Sequence, residues 1–158
     1  MNILEVKNIS LCKTFQGSGF SLDNISFTVP KGAIVGLAGE GGSGKTALLD
    51  IILGLTSADD GDVSLFGRKL TPDDTETRAK IGVMFDTNYF PNYFANWDIS
   101  KIFSKIYKNW DARYFLSFLE NYEIRDHSVI VKNMAQGTKS ILAIATALAV
   151  RPELLILD

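Results

Sequence analysis

Residues 39–46 constrain this chain more than any other feature of its sequence. They read Gly-Glu-Gly-Gly-Ser-Gly-Lys-Thr, which matches the phosphate-binding pattern G-x-x-x-x-G-K-[ST] in full. An apolar run at residues 33–38 precedes them, and a helical pattern at residues 45–53 follows. The sequence therefore predicts a buried strand, a glycine-rich loop and a helix, the order in which backbone N–H groups close around phosphate oxygens. The alternative is an ordinary glycine-rich turn.

Each part of this loop has a chemical role. Glycines let the backbone turn its N–H groups inward, and the start of the helix adds the positive end of its dipole. The Lys45 ammonium can reach β- and γ-phosphate oxygens, and the Thr46 hydroxyl can ligate Mg²⁺, whereas Ala47 adds no second hydroxyl. The predicted phosphate-binding residues are Gly39, Gly41, Gly42, Ser43, Gly44, Lys45 and Thr46.

A second acidic position lies at the end of the chain. Residues 154–157 read Leu-Leu-Ile-Leu, the pattern of a strand buried on both faces, and Asp158 follows them. In P-loop nucleotidases such an Asp helps to hold Mg²⁺, although many buried strands end in Asp without this role. A buried strand normally leads into another element. We therefore expect the chain to be cut from a longer domain, and the alternative is an edge strand at a natural C-terminus.

Composition narrows the class of protein. The chain has 158 residues, about one domain at roughly 150 residues each. Its 46% hydrophobic and 22% charged residues are ordinary for a globular protein, and its net charge of −2 argues against a general nucleic-acid binder. Cys12 is the only cysteine, so no internal disulfide can form. The longest apolar run, residues 141–150, is too short to cross a bilayer, and the N-terminus lacks a signal-peptide pattern.

Periodicity predicts the remaining elements. The predicted strands are residues 3–11, 24–29, 62–66 and 81–85, a loop occupies 15–20, and helices occupy 72–80 and 138–150. Two further amphipathic helices carry apolar stripes assigned to the core, namely Ile99, Ile102, Phe103 and Ile106, and then Phe115, Phe118, Leu119 and Tyr122. This order predicts an α/β fold in one partial domain, with a core at residues 1–86 and 136–158 and a helical subdomain at residues 87–135.

Aromatic residues crowd the start of the helical subdomain. They are Tyr89, Phe90, Tyr93, Phe94 and Trp97. Protein interfaces favour large aromatic side chains, so these residues are either exposed anchors for a partner, with residues 89–93 as the docking part, or they pack inside the subdomain. The sequence leaves both interpretations open.

Beyond these motifs, the whole chain resembles the ATP-binding-cassette (ABC) ATPases that power transporters. The resemblance also rests on Leu-Cys-Lys-Thr-Phe-Gln-Gly at residues 11–17, Ser-Leu-Asp-Asn-Ile-Ser-Phe-Thr-Val-Pro-Lys-Gly at 21–32 and Arg-Pro-Glu-Leu-Leu-Ile-Leu-Asp at 151–158. It implies a RecA-like P-loop NTPase core with an N-terminal antiparallel β-region, an inserted helical subdomain and a missing C-terminal part. The likeness is closest to exporter ATPases of antibiotics and peptides. By position it implies that Phe15 stacks on adenine, and the alternative is that Phe15 is an ordinary core residue.

The chain departs from this family's pattern in three places. Asp86 stands where the family has Gln, and it is either a group near Mg²⁺ and water or a turn residue. The family signature Leu-Ser-Gly-Gly-Gln aligns with Met-Ala-Gln-Gly-Thr at residues 134–138, where only Gly137 is retained. This implies a weaker contact with the γ-phosphate held by a second subunit. The family's catalytic Glu and His would lie beyond residue 158, and His127 is interpreted as a solvated loop residue instead.

The resemblance implies an ATP-binding subunit that couples ATP binding and hydrolysis to export by a separate membrane subunit. Its ligands would be ATP and Mg²⁺, with Asp86 and Gly137 in catalytic roles and Thr46, Asp86 and Asp158 around the metal. Its partners would be the membrane-spanning subunit and a second ATPase subunit, identical or different, at the cytoplasmic face of the membrane, and no nucleic acid. The 158-residue chain is expected to bind ATP without hydrolysing it.

Two other functions are weighed against this one. A degenerate, non-hydrolysing regulatory module is the main alternative, because Ala135, Gln136 and Asp86 replace the family's usual residues. A GTPase is disfavoured, because the sequence contains no Asn-Lys-x-Asp motif for guanine. A small-molecule kinase is disfavoured, because it would lack the helix start at Gln136-Gly137 and its spacing to Asp158.

Overall fold

The computed structural model describes residues 1–15, 18–71, 73–85 and 90–158. They form two units, Met1–Arg78 and Ala79–Asp158. Antiparallel strands dominate the first unit and helices dominate the second. Among the described residues, no helix combines the length and the apolar character that a bilayer crossing needs.

β1 (Asn2–Phe15) is the central strand of the first unit. It pairs antiparallel with β2 (Ser18–Pro30) on one side and with β3 (Asp60–Leu65) on the other, and β3 pairs with β4 (Arg68–Lys69). Apolar side chains of β1 point into the core of this unit, where Leu4, Val6, Ile9 and Leu11 are buried. A register shift between Val6 and Ile9 lets both side chains face the core, although they are three positions apart and would otherwise point to opposite faces.

The β1–β2 hairpin is longer than the alternation predicts. The ladder continues to the pairs Thr14–Gly19 and Phe15–Ser18. Residues 18–20 therefore belong to β2 rather than to the predicted loop, while residues 16–17 lie outside the described ranges. Pairing extends into this polar stretch because each added pair satisfies backbone N–H and C=O groups. The predicted strand at 62–66 is confirmed as β3, and the two-residue β4 was not predicted.

Helix α1 (Lys45–Ile52) confirms the helix predicted after the glycine-rich loop. It buries the stripe Leu48, Ile51 and Ile52. The chain leaves it through Gly54, whose φ of +69° suits the end of a helix. The predicted helix at 72–80 shortens to α2 (Thr75–Arg78), a single turn, and Pro72 lies outside the described residues.

Residues 33–38 are not the buried strand that the sequence predicts. They belong to no helix or strand, and all of them are exposed; the exposed fractions are 102% for Ile34, 53% for Val35 and 44% for Leu37. An apolar run becomes a buried strand only where neighbouring strands pair with it and other elements cover its faces. The described part of the chain provides no strand that pairs with this run.

The second unit is built on two parallel strands, β5 (Ile81–Met84) and β6 (Leu154–Leu157), paired from Ile81–Leu154 to Met84–Leu157. Between them in sequence, the described residues form three α-helices, which are α3 (Asn96–Ile106), α4 (Ala112–Asn121) and α5 (Gln136–Ala149), and a short 3-10 helix at Val131–Asn133. Helix α5 crosses β5 at Gly82, where any Cβ would collide with the carbonyl oxygen of Ala147. Glycine therefore permits the close approach of the helix to the strand.

β6 is covered less than its sequence predicts. Ile156 is buried, but Leu155 and Leu157 are 38% and 58% exposed, so only one face of the strand is covered. The prediction of burial on both faces is wrong for the described residues, because β6 is an edge strand of a two-stranded sheet.

The core of the second unit lies between its three helices. Its most completely buried members include Ile99, Phe115, Leu119, Val131 and Ala145. The prediction that these two stripes lie in the core is wrong for the last residue of each stripe and confirmed for Ile99, Phe115 and Leu119. Ile106 is 65% exposed and Tyr122 is 54% exposed. One is the last residue of α3 and the other follows α4, beyond the surface where the helices pack.

Arg151 and Asp111 join the end of α5 to the start of α4. The guanidinium donates to Asp111 Oδ2 from Nη2 at 2.6 Å and from Nε at 3.2 Å, and it lies over the Tyr114 ring at 4.2 Å. Asp111 is also the N-cap of α4, because its Oδ1 accepts the backbone N–H of Tyr114 at 2.8 Å. One carboxylate therefore stabilises both a helix start and a long-range contact.

This carboxylate predicts a pH dependence of stability. The N–H of Tyr114, together with Arg151, holds the pKa of Asp111 below its ordinary value. Ionised Asp111 therefore stabilises the fold above its unfolded pKa of about 3.9, and this contribution is lost as the pH falls through its folded pKa. Asp111→Asn retains a capping oxygen but loses the charge. It should lower the Tm at neutral pH and have little effect in strong acid, as followed by circular dichroism.

The matched control is Asp23→Asn, which removes an exposed carboxylate on β2. It should leave the pH profile of the Tm unchanged. A loss of Tm for Asp111→Asn that is equal at every pH would contradict the role given to the Asp111 charge.

Candidate phosphate-binding site

The glycine-rich loop is open to solvent and turns sharply at two of its glycines. Residues 39–43 are exposed. Gly42 has φ +80° and Gly44 has φ +89°, in the left-handed region that glycine adopts at no steric cost. The N–H of Ser43 donates to the Glu40 carbonyl oxygen at 3.2 Å and closes a turn between them. The loop predicted from the motif is confirmed as a compact turn at the start of α1.

Lys45 places its charge on the loop itself. Its Nζ donates to the carbonyl oxygens of Gly39 at 2.9 Å and Glu40 at 2.8 Å, and it lies 3.5 Å from Ser43 Oγ. The ammonium therefore lies over the turn whose N–H groups would face an anion. A positive charge beside backbone N–H donors at a helix start is the donor set that phosphate oxygens require.

Gly44 connects this loop to the N-terminal sheet. It is the N-cap of α1, and the Leu48 N–H donates to its carbonyl oxygen at 2.9 Å. A Cβ built on Gly44 would lie 2.9 Å from Cδ2 of both Phe20 and Leu22. The sequence pattern does not predict that these two β2 residues contact the loop. Their i, i+2 spacing places them on one face of a strand, but nothing in the pattern says that the loop lies against that face.

The predicted metal ligands lie in different units. Thr46 is exposed in the first turn of α1. Asp158 follows β6 and is exposed, and its N–H donates to the Met84 carbonyl oxygen at 3.0 Å, which extends the β5–β6 pairing by one residue. A hydroxyl and a carboxylate are oxygen donors of the kind that Mg²⁺ prefers, so each fits the predicted role by its chemistry.

Two predicted site residues lie partly or wholly outside the described structure. Phe15 ends β1 and pairs with Ser18, but its side chain is outside the described part. Asp86 is one of residues 86–89, which lie outside it entirely. Adenine stacking by Phe15 and the Asp86 role stay predictions.

The signature-like segment forms the start of α5. Ala135 is the N-cap, with the extended backbone of such a position (φ −63°, ψ 155°) and no side-chain hydrogen bond. Gln136 and Gly137 begin the helix and are exposed, and a Cβ on Gly137 would meet nothing within 4 Å among the described residues. The helix begins two residues earlier than predicted, so Gly137 contributes its N–H to the open first turn.

The aromatic residues at the start of the helical subdomain include both buried and exposed side chains. Phe90 is buried and packs edge-to-face with Phe103, and Phe94 packs on the same core. Tyr93 and Trp97 are 74% and 55% exposed. Tyr89 lies outside the described residues.

His127 lies in a loop, as the sequence predicts, but it is not solvated. It is buried, with its ring edge-to-face with Trp97 at 5.4 Å and its Nε2 3.7 Å from Glu120 Oε1. Nδ1 lies 3.4 Å from the Asn96 amide nitrogen. The polar neighbours of His127 in sequence predict solvation, but residues of α3 and α4 enclose its ring.

Comparison with known proteins identifies the family. A family model described as ABC transporter matches residues 22–158. The chain belongs to this family. Its match runs from within β2 through the glycine-rich loop to Asp158, so the loop, Thr46, Gly137 and Asp158 lie inside it, whereas Phe15 and Phe20 lie before it.

Named ABC relatives are similar over nearly all of this chain. The chain is 28% identical to the energy-coupling factor transporter ATP-binding protein EcfA1 of Streptococcus sanguinis strain SK36, over 99% of this chain and 59% of the relative. It is 34% identical to the zinc uptake system ATP-binding protein ZurA of Listeria monocytogenes, over 99% and 63%. An uncharacterized ABC ATP-binding protein of Bacillus subtilis, YybJ, is 35% identical over 87% and 63%. This ABC chain thus spans 59–63% of the length of these relatives.

Solved structures share the fold. The TM-score is 0.85 with an ATP-binding subunit of an ABC transporter, at 24% identity over 99% of this chain and 65% of that one. It is 0.83 with the ATP-binding cassette MJ0796, a dimer bound to ADP and Pi after hydrolysis, at 24% identity over 98% and 73%. The predicted α/β ABC ATPase fold with an N-terminal antiparallel β-region is confirmed.

The uncapped start of α5 generates a prediction. Ala135→Ser places an oxygen where it can accept a first-turn N–H, so the free energy of unfolding in urea should rise by about 1 kcal/mol. The control Ala135→Val has no such oxygen and should give no gain. A serine variant no more stable than the valine variant would show that residue 135 does not act as the cap.

Proposed function

We propose that this chain is the ATP-binding part of an ABC transporter, which couples ATP binding and hydrolysis to substrate movement by a separate membrane subunit. The observation that carries the proposal is the phosphate loop. The Lys45 ammonium and the N–H groups of Gly44 and the first turn of α1 meet there, within a chain that belongs to this family.

The roles of the site residues follow from their chemistry. Backbone N–H groups of the loop would hold phosphate oxygens, and Lys45 would exchange its two carbonyl partners for β- and γ-phosphate oxygens. Thr46 and Asp158 would hold Mg²⁺, with Asp86 near it, and the ion would neutralise charge on the phosphates. Phe15 would stack on the adenine, a contact that tolerates different bases.

A second ATP-binding subunit, identical or different, would complete the nucleotide site. Gly137 and the N–H groups at the start of α5 would face the γ-phosphate held by that partner. Ala135 has no hydroxyl for this contact, so the contact would be weaker than in the family's usual signature. A second candidate function is a regulatory module that binds ATP without hydrolysing it. It is favoured by three residues that replace the family's usual ones, namely Ala135, Gln136 and Asp86.

The phosphate loop generates the decisive binding test. Lys45→Ala removes the charge that balances the phosphates, so binding of fluorescent ATP with Mg²⁺ to the 158-residue chain should fall by at least about a hundredfold. The control Lys31→Ala removes an exposed lysine just before the loop and should leave the Kd unchanged.

Each outcome has a distinct meaning. Saturable binding that Lys45→Ala abolishes supports the nucleotide site. Equal binding by the wild-type chain and by Lys45→Ala would rule out the phosphate loop as that site. Phosphate release from the wild-type chain would argue against the non-hydrolysing module.

The membrane partner would dock on the helical subdomain that we propose at residues 87–135, as distinct in sequence from the proposed core at residues 1–86 and 136–158. Tyr93 and Trp97 are its exposed aromatic residues near the predicted docking segment, and side chains of this type are common interface anchors. Docking would hold the chain at the cytoplasmic face of the membrane. Export, predicted from the exporter resemblance, stays a prediction, and the zinc relatives are named for uptake.

Truncation of these aromatics tests the docking surface. Tyr93→Ala and Trp97→Ala should each weaken co-purification with the co-expressed membrane subunit and reduce its stimulation of ATP hydrolysis, while the Kd for ATP stays the same. Tyr122→Ala, an exposed aromatic elsewhere in the same unit, is the matched control. A loss of co-purification that is equal for all three variants would contradict this surface.

A further inference from the structure

We propose that Phe20 is a positioning residue for nucleotide binding, which fixes the phosphate loop by packing its ring against Gly44. The inference rests on the proposed ATP site and adds to it a residue outside the loop. Phe20 is expected to touch no phosphate and to act through the backbone of Gly44.

Gly44 is where the loop is held by the sheet. A Cβ built on it would lie 2.9 and 3.0 Å from Cδ2 and Cε2 of the Phe20 ring, and 2.9 Å from Leu22 Cδ2. The other loop glycines differ within the described structure. Gly41 and Gly42 have nothing within 4 Å of such a Cβ, and Gly39 meets Ser43 and Lys45 of its own loop.

The backbone of Gly44 sets the direction of the N–H groups that would donate hydrogen bonds to phosphate. Its φ of +89° turns the chain from the loop into α1, and its carbonyl oxygen accepts the first hydrogen bond of that helix, from Leu48. The N–H groups of Gly44, Lys45 and Thr46 follow directly from this turn. A glycine without side-chain contact has many backbone conformations, and every donor after it would then move.

Packing against Gly44 reduces this freedom before any ligand arrives. Leu22 is buried with the sheet core, opposite Leu11 on β1, whereas Phe20 is half-buried, opposite Lys13. The Phe20 ring therefore covers Gly44 from the rim of the sheet. A loop held in its binding conformation loses less conformational entropy when phosphate binds, so the affinity is higher.

A direct contact of Phe20 with the base is the competing explanation. The two explanations differ in one measurable respect. A residue that positions the loop affects every ligand that uses the loop, including tripolyphosphate, which has no base. A residue that stacks on the base affects ATP and leaves tripolyphosphate binding unchanged.

The test compares Phe20→Ala and Phe20→Leu in the 158-residue chain, with the Kd measured for Mg²⁺–ATP and for Mg²⁺–tripolyphosphate by isothermal titration. Phe20→Ala should raise both Kd values by the same factor, on the order of tenfold. Phe20→Leu retains apolar contact with Gly44 and should stay within about twofold of the wild type. Phe20→Val replaces Phe20→Ala if thermal unfolding shows that the alanine variant does not fold.

Phe27→Ala is the matched control, because it removes a half-buried ring from the same strand, seven residues away. It should lower the Tm and leave both Kd values unchanged. Unchanged Kd values for Phe20→Ala, or a rise confined to ATP, would overturn the positioning role. A wild-type chain that binds neither ligand would instead overturn the proposed ATP site, and the positioning role with it.

Discussion

The pairing of β1 with strands on both of its sides is the interaction on which the proposed nucleotide site depends. Its ladder with β2 fixes the register that places Phe20 and Leu22 on one face of the sheet, and these side chains meet the last glycine of the phosphate loop. These two residues lie two and four positions after the start of β2 at Ser18, near the turn end of the hairpin, and they can hold a loop only if that hairpin is rigid. The register shift between Val6 and Ile9 keeps both of these β1 side chains in the core while the strand twists.

The second unit depends on a different close contact. Helix α5 lies against β5 where Gly82 removes the side chain that would keep them apart. The same helix begins at the signature-like segment and ends beside the Arg151–Asp111 pair. One rigid helix therefore links the open N–H groups near Gly137 with the start of α4. A displacement at either end would be carried along α5, because helices are stiff on this length scale.

Local motifs were predictable from the sequence, and long-range contacts were not. The glycine-rich turn and α1 are confirmed, because eight residues contain both the glycines and the lysine that define the turn. The sequence predicts a buried strand at residues 33–38, because hydrophobicity indicates that a segment favours burial. It does not indicate which strand pairs with that segment, and residues 33–38 are exposed. The burial of His127 is missed for the same reason, since it is Trp97 and Asn96 of the distant helix α3 that contact its ring. The packing of Phe20 on Gly44 joins residues that no periodic pattern connects.

The exposed run at residues 33–38 has a consequence for handling the protein. Ile34, Val35 and Leu37 form a short apolar segment without charge, and such segments act as templates on which strands of other chains assemble. Pro30 and Lys31 before the run and Glu40 after it are gatekeeper residues of the kind that slow this assembly. Aggregation of the 158-residue chain should therefore begin at this segment and rise steeply with concentration, and it is the first place to add charge for a soluble preparation.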